Sequence, residues 1–87
     1  MLVARLVHNV WATRKADSLT GLKFMLAEEI SDKGEGNRFV VVDIIGAGVG
    51  DRVIISTGSS ARKMLGDDNI PVDAVVVGII DNDCTFE

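Results

Sequence analysis

Three runs, Val40-Val41-Val42, Val53-Ile54-Ile55 and Val75-Val76-Val77, are apolar and β-branched at every position. β-branched side chains favour the pleated sheet. A strand with one face in water alternates apolar with polar residues, so an unbroken run marks a strand covered on both sides. Helices usually supply the second cover, but this chain offers one short helical segment. Ser59 or Ser60 can N-cap it, Ala61 to Leu65 continue it, and Gly66 can end it as a left-handed residue past the last turn. So little helix leaves strand faces bare, and monomers seldom leave large apolar patches in water. A second copy of the chain is the expected cover, in a closed ring or a symmetric dimer.

The period along the chain is mostly two. Strands are expected near residues 2 to 12, 21 to 30, 38 to 45, 52 to 57 and 74 to 80, separated by turn signals. Five short strands in 87 residues predict one all-β domain over 1–87, a small five-stranded barrel with one short helix. Lys33 to Asn37 reads as a glycine-rich hairpin loop and residues 13 to 20 as a longer polar connection, neither of them an interdomain linker. In the first strand, Leu2, Ala4, Leu6, His8 and Val10 share one parity. Val3, Val7 and Trp11 share the other with Arg5 and Asn9, so both faces are partly apolar. Val3, Val7 and Trp11 are therefore candidate interface residues, and His8 reads as a core or interface histidine.

Charge and composition exclude several functions. A net charge of −4 with scattered basic residues argues against nonspecific nucleic-acid binding, which needs Lys and Arg against phosphates. Tyrosine is absent, and Trp11, Phe24, Phe39 and Phe86 are too dispersed for a base-stacking platform. The apolar runs are too short to span a bilayer, and the opening MLVARLVHNVW lacks the form of a secretory signal, which places the protein in the cytoplasm without a membrane partner. The lone Cys84 allows neither an internal disulfide nor a multi-thiolate metal site.

The glycine-rich stretch DIIGAGVGDR invites comparison with a phosphate cradle. A dinucleotide fingerprint requires G-x-G-x-x-G between a strand and a helix, whereas Gly46, Gly48 and Gly50 run G-x-G-x-G and lead into another strand. No Walker lysine follows. The expected role is a tight strand-to-strand turn whose glycines permit positive φ or close approach of a neighbour. A nucleophilic triad would need Ser59 or Ser60 beside His8, and no spacing brings them together; the serines are better explained as helix caps. Asp67-Asp68 and Asp81-Asn82-Asp83 read as solvated loops, not ligand sets. No catalytic, cofactor-binding or metal residue is expected.

Five motifs occur in order along the chain: Ala12-Thr13-Arg14-Lys15; Leu19-Thr20-Gly21-Leu22-Lys23; Asp43 to Asp51; Gly58-Ser59-Ser60-Ala61-Arg62; and Pro71 to Ala74 with Gly78 to Asp81. Together they resemble the EutN/CcmL family, the vertex proteins of bacterial microcompartment shells. The resemblance implies a five-stranded barrel similar to an OB-fold, assembled as a cyclic pentamer. It also implies a structural role, capping the five-fold corners of a polyhedral shell otherwise tiled by hexameric proteins. Under it, Gly46, Ala47, Gly48, Val49, Gly50, Ser59, Ser60 and Arg62 are expected at subunit seams or near the five-fold axis, with Arg62 as an intersubunit donor. An OB-like nucleic-acid-binding module is the alternative by fold analogy, and would require a basic groove.

Overall fold

The computed structural model describes residues 1–31 and 34–84. Five strands carry the fold: β1 (Leu2–Val10), β2 (Lys23–Ser31), β3 (Gly34–Asp43), β4 (Arg52–Thr57) and β5 (Ala74–Ile79), with helix α1 (Ser59–Met64) between the last two. They close into a barrel in the order β1-β2-β3-β5-β4, with β4 returning to β1. All neighbours are antiparallel except β3 and β5, which run parallel and meet at Val42↔Val75 and Asp43↔Val76. The expected all-β, OB-like barrel with one short helix is thus observed.

The unbroken apolar runs of β3 and β5 each serve two cores, whereas that of β4 gives Val53 and Ile55 to the barrel core alone. Val41, Val53, Ile55 and Val76 point into the barrel, where they pack with Leu6 and Met25, and Ala4, Ala27 and Ala74 fill the narrower space. Val42 and Val75 point outward into a second cluster with Ala61 of α1, Ile70 and Val72. Leu19, Leu22, Phe24 and Leu65 flank that cluster. This corrects the expectation that another copy must provide the outer cover. On β3 and β5, the short helix and the segment after it are enough, because Ala61 lets α1 lie close and Ile70 and Val72 extend its reach. What remains bare is narrower: besides Met1 and Ile30, the large apolar residues Trp11, Val40, Ile44, Ile45, Val49, Met64 and Ile79 stay exposed among the described residues.

Local geometry departs from the sequence expectations at four places. The β1–β2 register slips between Leu6 and His8, so Leu6 pairs with Ala27 but His8 with Leu26. This bulge at Val7 breaks the parity of β1 and turns His8 out to solvent instead of into a core or interface pocket within the chain. The helix is capped by Gly58 at φ +67°, with no side-chain cap bond; Ser59 and Ser60 lie inside its first turn. Gly66 does take the left-handed conformation past its end, at φ +75°. Lys33 lies outside the described residues, but Gly34, Gly36 and Asn37 belong to β3 rather than to a hairpin loop. Finally, the polar connection contains a single 3-10 turn, Asp17–Leu19, through which Leu19 reaches the outer cluster.

Candidate assembly interface

The segment from Ile44 to Asp51 joins β3 to β4, which are not neighbours in the barrel. It is therefore a crossing over one barrel mouth and not the tight hairpin turn that its glycines suggest. Its middle residue, Ala47, is buried in the barrel core and plugs that mouth. The exit is stitched to β1: Gly50 N–H donates to the Leu6 carbonyl at 2.8 Å, and Leu6 N–H donates to the Asp51 carbonyl at 3.0 Å. Gly46 and Gly50 take φ of +87° and +94°, a region closed to most side chains. Gly48 does not, and its N–H donates to Asp51 Oδ2 at 2.9 Å.

The entrance to the crossing is held by charge. Asp43, the last residue of β3, lies opposite Lys23, the first of β2. Their side chains form an ion pair at 3.1 Å, with the carboxylate 1% exposed and the lysine 44% exposed. Asp43 Oδ1 accepts from the Ile45 N–H at 3.1 Å, and the Lys23 ammonium also donates to the Ala47 carbonyl. Among the described residues Asp43 Oδ2 makes no hydrogen bond of good geometry, so the Lys23 charge is its only compensation. Sequence reading missed this pair, because Lys23 and Asp43 look like ordinary strand-end charges until β2 and β3 are in register.

Apart from Ala47, the crossing carries its apolar side chains outward. Ile44, Ile45 and Val49 are each roughly half exposed on a backbone fixed at both ends. Ser59, Ser60 and Arg62 lie elsewhere, on α1, which packs against β4 and β5. The crossing enters β4 at Arg52 and the helix leaves it after Thr57, so the two glycine-bearing segments sit at opposite ends of one strand, about 20 Å apart. The fold does not gather them at one point. Ser59 and Ser60 are exposed, and the half-buried Arg62 makes no side-chain hydrogen bond or ion pair with the described residues. Of the strand candidates, Val3 and Val7 are half-buried on β1 and Trp11, just past its end, is 86% exposed. Trp11 lines a groove of about 340 Å³ together with Lys15, Leu22 and Phe24.

The arrangement has little chemistry to offer. His8 and the serines of α1 lie on different elements, and among the described residues no three His, Cys, Asp or Glu side chains converge on a common point. Cys84 is exposed. No helix is long and apolar enough to cross a membrane.

Comparison with known proteins agrees with the barrel. The sequence profile of the family described as ethanolamine utilisation protein EutN/carboxysome matches residues 1–81. The chain is 42% identical over 83 residues to the bacterial microcompartment shell vertex protein GrpN of Rhodospirillum rubrum, covering 93% of each chain. It is 41% identical over 83 residues to the carboxysome shell vertex protein CcmL of Synechocystis sp., covering 93% of this chain and 83% of that one. The solved structure of GrpN, a pentameric microcompartment shell protein from Rhodospirillum rubrum, superposes with a TM-score of 0.81 at 38% identity, over 99% of this chain and all of that one.

Proposed function

Because the chain belongs to the EutN/CcmL family, we propose that it is a structural shell protein whose pentamer forms the vertex of a bacterial microcompartment. The observation that carries this reading is its near full-length likeness to a shell protein that is itself a pentamer. The exposed Ile44, Ile45, Val49 and Trp11 supply a physical reason for a ring, since a lone barrel would leave them in water.

A vertex works by geometry. Six-fold tiles alone extend as a flat sheet, and five-fold tiles at the corners supply the curvature that closes it. The partners are then four further copies of this chain and, around them, hexameric shell proteins, all within the bacterial cytoplasm. The role needs no reaction centre, and the whole of 1–87 acts as one domain.

Within the ring, the crossing at Gly46, Ala47, Gly48, Val49 and Gly50 meets the next copy. Val3, Val7 and Trp11 on the β1 side, and Ser59, Ser60 and Arg62 on the helix side, complete the contact. The Arg62 guanidinium, with no side-chain partner among the described residues, reaches a carboxylate or backbone carbonyls of the neighbour. Size exclusion coupled to light scattering tests the ring directly. Five chains of 9.3 kDa weigh about 46 kDa, and a species near 9.3 kDa at micromolar concentration overturns the pentamer.

A further inference from the structure

Resting on the reading of the β3–β4 crossing as a ring contact, we propose that Lys23 and Asp43 are its positioning pair. They hold the crossing in the one shape in which Ile44, Ile45 and Val49 meet the next copy. Three observations converge on this role. The Asp43 carboxylate is almost wholly buried, yet among the described residues one of its oxygens is compensated only by the Lys23 ammonium. The other oxygen fixes the first bend of the crossing through the Ile45 N–H. The same ammonium reaches on to the Ala47 carbonyl, so a single charge ties the end of β3 to the middle of the crossing.

Stability alone does not call for such a pair. Burying a carboxylate costs desolvation that a single, half-exposed lysine offsets only in part, so a carboxylate at this depth is better explained by the geometry it imposes. What it imposes here is order. With the entrance tied by Lys23 and Asp43 and the exit by Leu6, stiff β-branched side chains are presented on a backbone that loses little freedom when a neighbour docks.

The test is the double variant Lys23→Met/Asp43→Asn, which removes both charges and strands neither. Hydrogen exchange is read at the Ile45 and Gly48 amides against Val41 and Val53 in the barrel, and ring dissociation is followed by light scattering on dilution. The expected result is exchange about tenfold faster in the crossing alone, with the ring dissociating at about tenfold higher concentration. Lys23→Arg, which keeps the charge and its donors, is expected to restore the wild-type dissociation midpoint. A merely structural pair would slow or speed exchange throughout the barrel. Unchanged dissociation of the double variant beside a pentameric wild type overturns the pair's role and leaves the ring intact. A wild type that is monomeric throughout overturns the ring reading itself, and the pair's role with it. Should the double variant fail to fold, the wild-type ring decides: an Ile45 amide exchanging as fast as an unstructured peptide overturns the proposal.

Discussion

Gly48 and Gly36 are the same residue under opposite constraints, and single substitutions separate them. At Gly48 φ is not positive, and an added Cβ would meet only Asp51 Oδ2 at 4.0 Å. Gly48→Val is therefore expected to leave the barrel's own stability within about 0.5 kcal/mol while placing a branched side chain in the ring contact. Native mass on size exclusion should fall below the pentamer, and a fully pentameric Gly48→Val protein would sink the placement of the crossing. Gly36 faces β2 beside its register slip, where a Cβ would overlap the Glu29 carbonyl oxygen. Gly36→Ala should cost about 2 kcal/mol and lower the melting temperature by about 10 °C, read by circular dichroism on a monomeric background. The sequence marks both positions as turn glycines. Only the cross-strand register shows that Gly36 is there for close backbone approach and Gly48 is not.

At the scale of elements, helix α1 is short enough that its ends decide it. Gly58 and Gly66, both at positive φ, flank the six-residue helix and its C-cap Leu65, and the N-terminal end has no side-chain cap bond. Gly66→Ala forces a Cβ into the left-handed region and is expected to cost about 1 kcal/mol, a drop of roughly 4 to 8 °C in melting temperature. The loss would fall on the outer cluster, since Ala61 is what closes over Val42 and Val75. All five strands and the helix were legible from β-branched runs and turn residues, because those signals are local. The Val7 bulge and the true cap were not. A bulge depends on what β2 presents opposite β1, and Gly58 takes the cap because its φ is open to glycine while Ser59 already lies in the helix. The runs on β3 and β5 were read correctly as covered on both sides, though their outer cover includes Ile70 and Val72, which no helical period announces; the run on β4 packs into the barrel core alone, with Ile54 in neither cluster.

For the whole molecule, the exposed apolar residues on the crossing and the polar surface around them predict a separation of folding from assembly. Val49, exposed in the single chain, tolerates Val49→Asp at about 0.5 kcal/mol or less to the barrel. In the ring the same carboxylate would be buried without a partner, so dissociation on dilution should begin at about a hundredfold higher concentration, with the far-ultraviolet spectrum unchanged. A matching loss of secondary structure would contradict this. The proposed five-fold symmetry is legible only through the ordered motifs, since no residue pattern counts copies; apolar exposure points to a neighbour, not to how many. The parallel contact between β3 and β5 has a different consequence. It is two residue pairs long, and no described strand pairs with the outer margin of β3 from Gly34 to Val41. A row of peptide groups there is open to any extended chain that drifts past, the usual starting point for runaway stacking. Arg38, whose guanidinium is drawn to Glu28 on the β2 side at 2.8 Å, and the exposed Asn37 make the sheet face beside that margin polar where a fibril would need it dry.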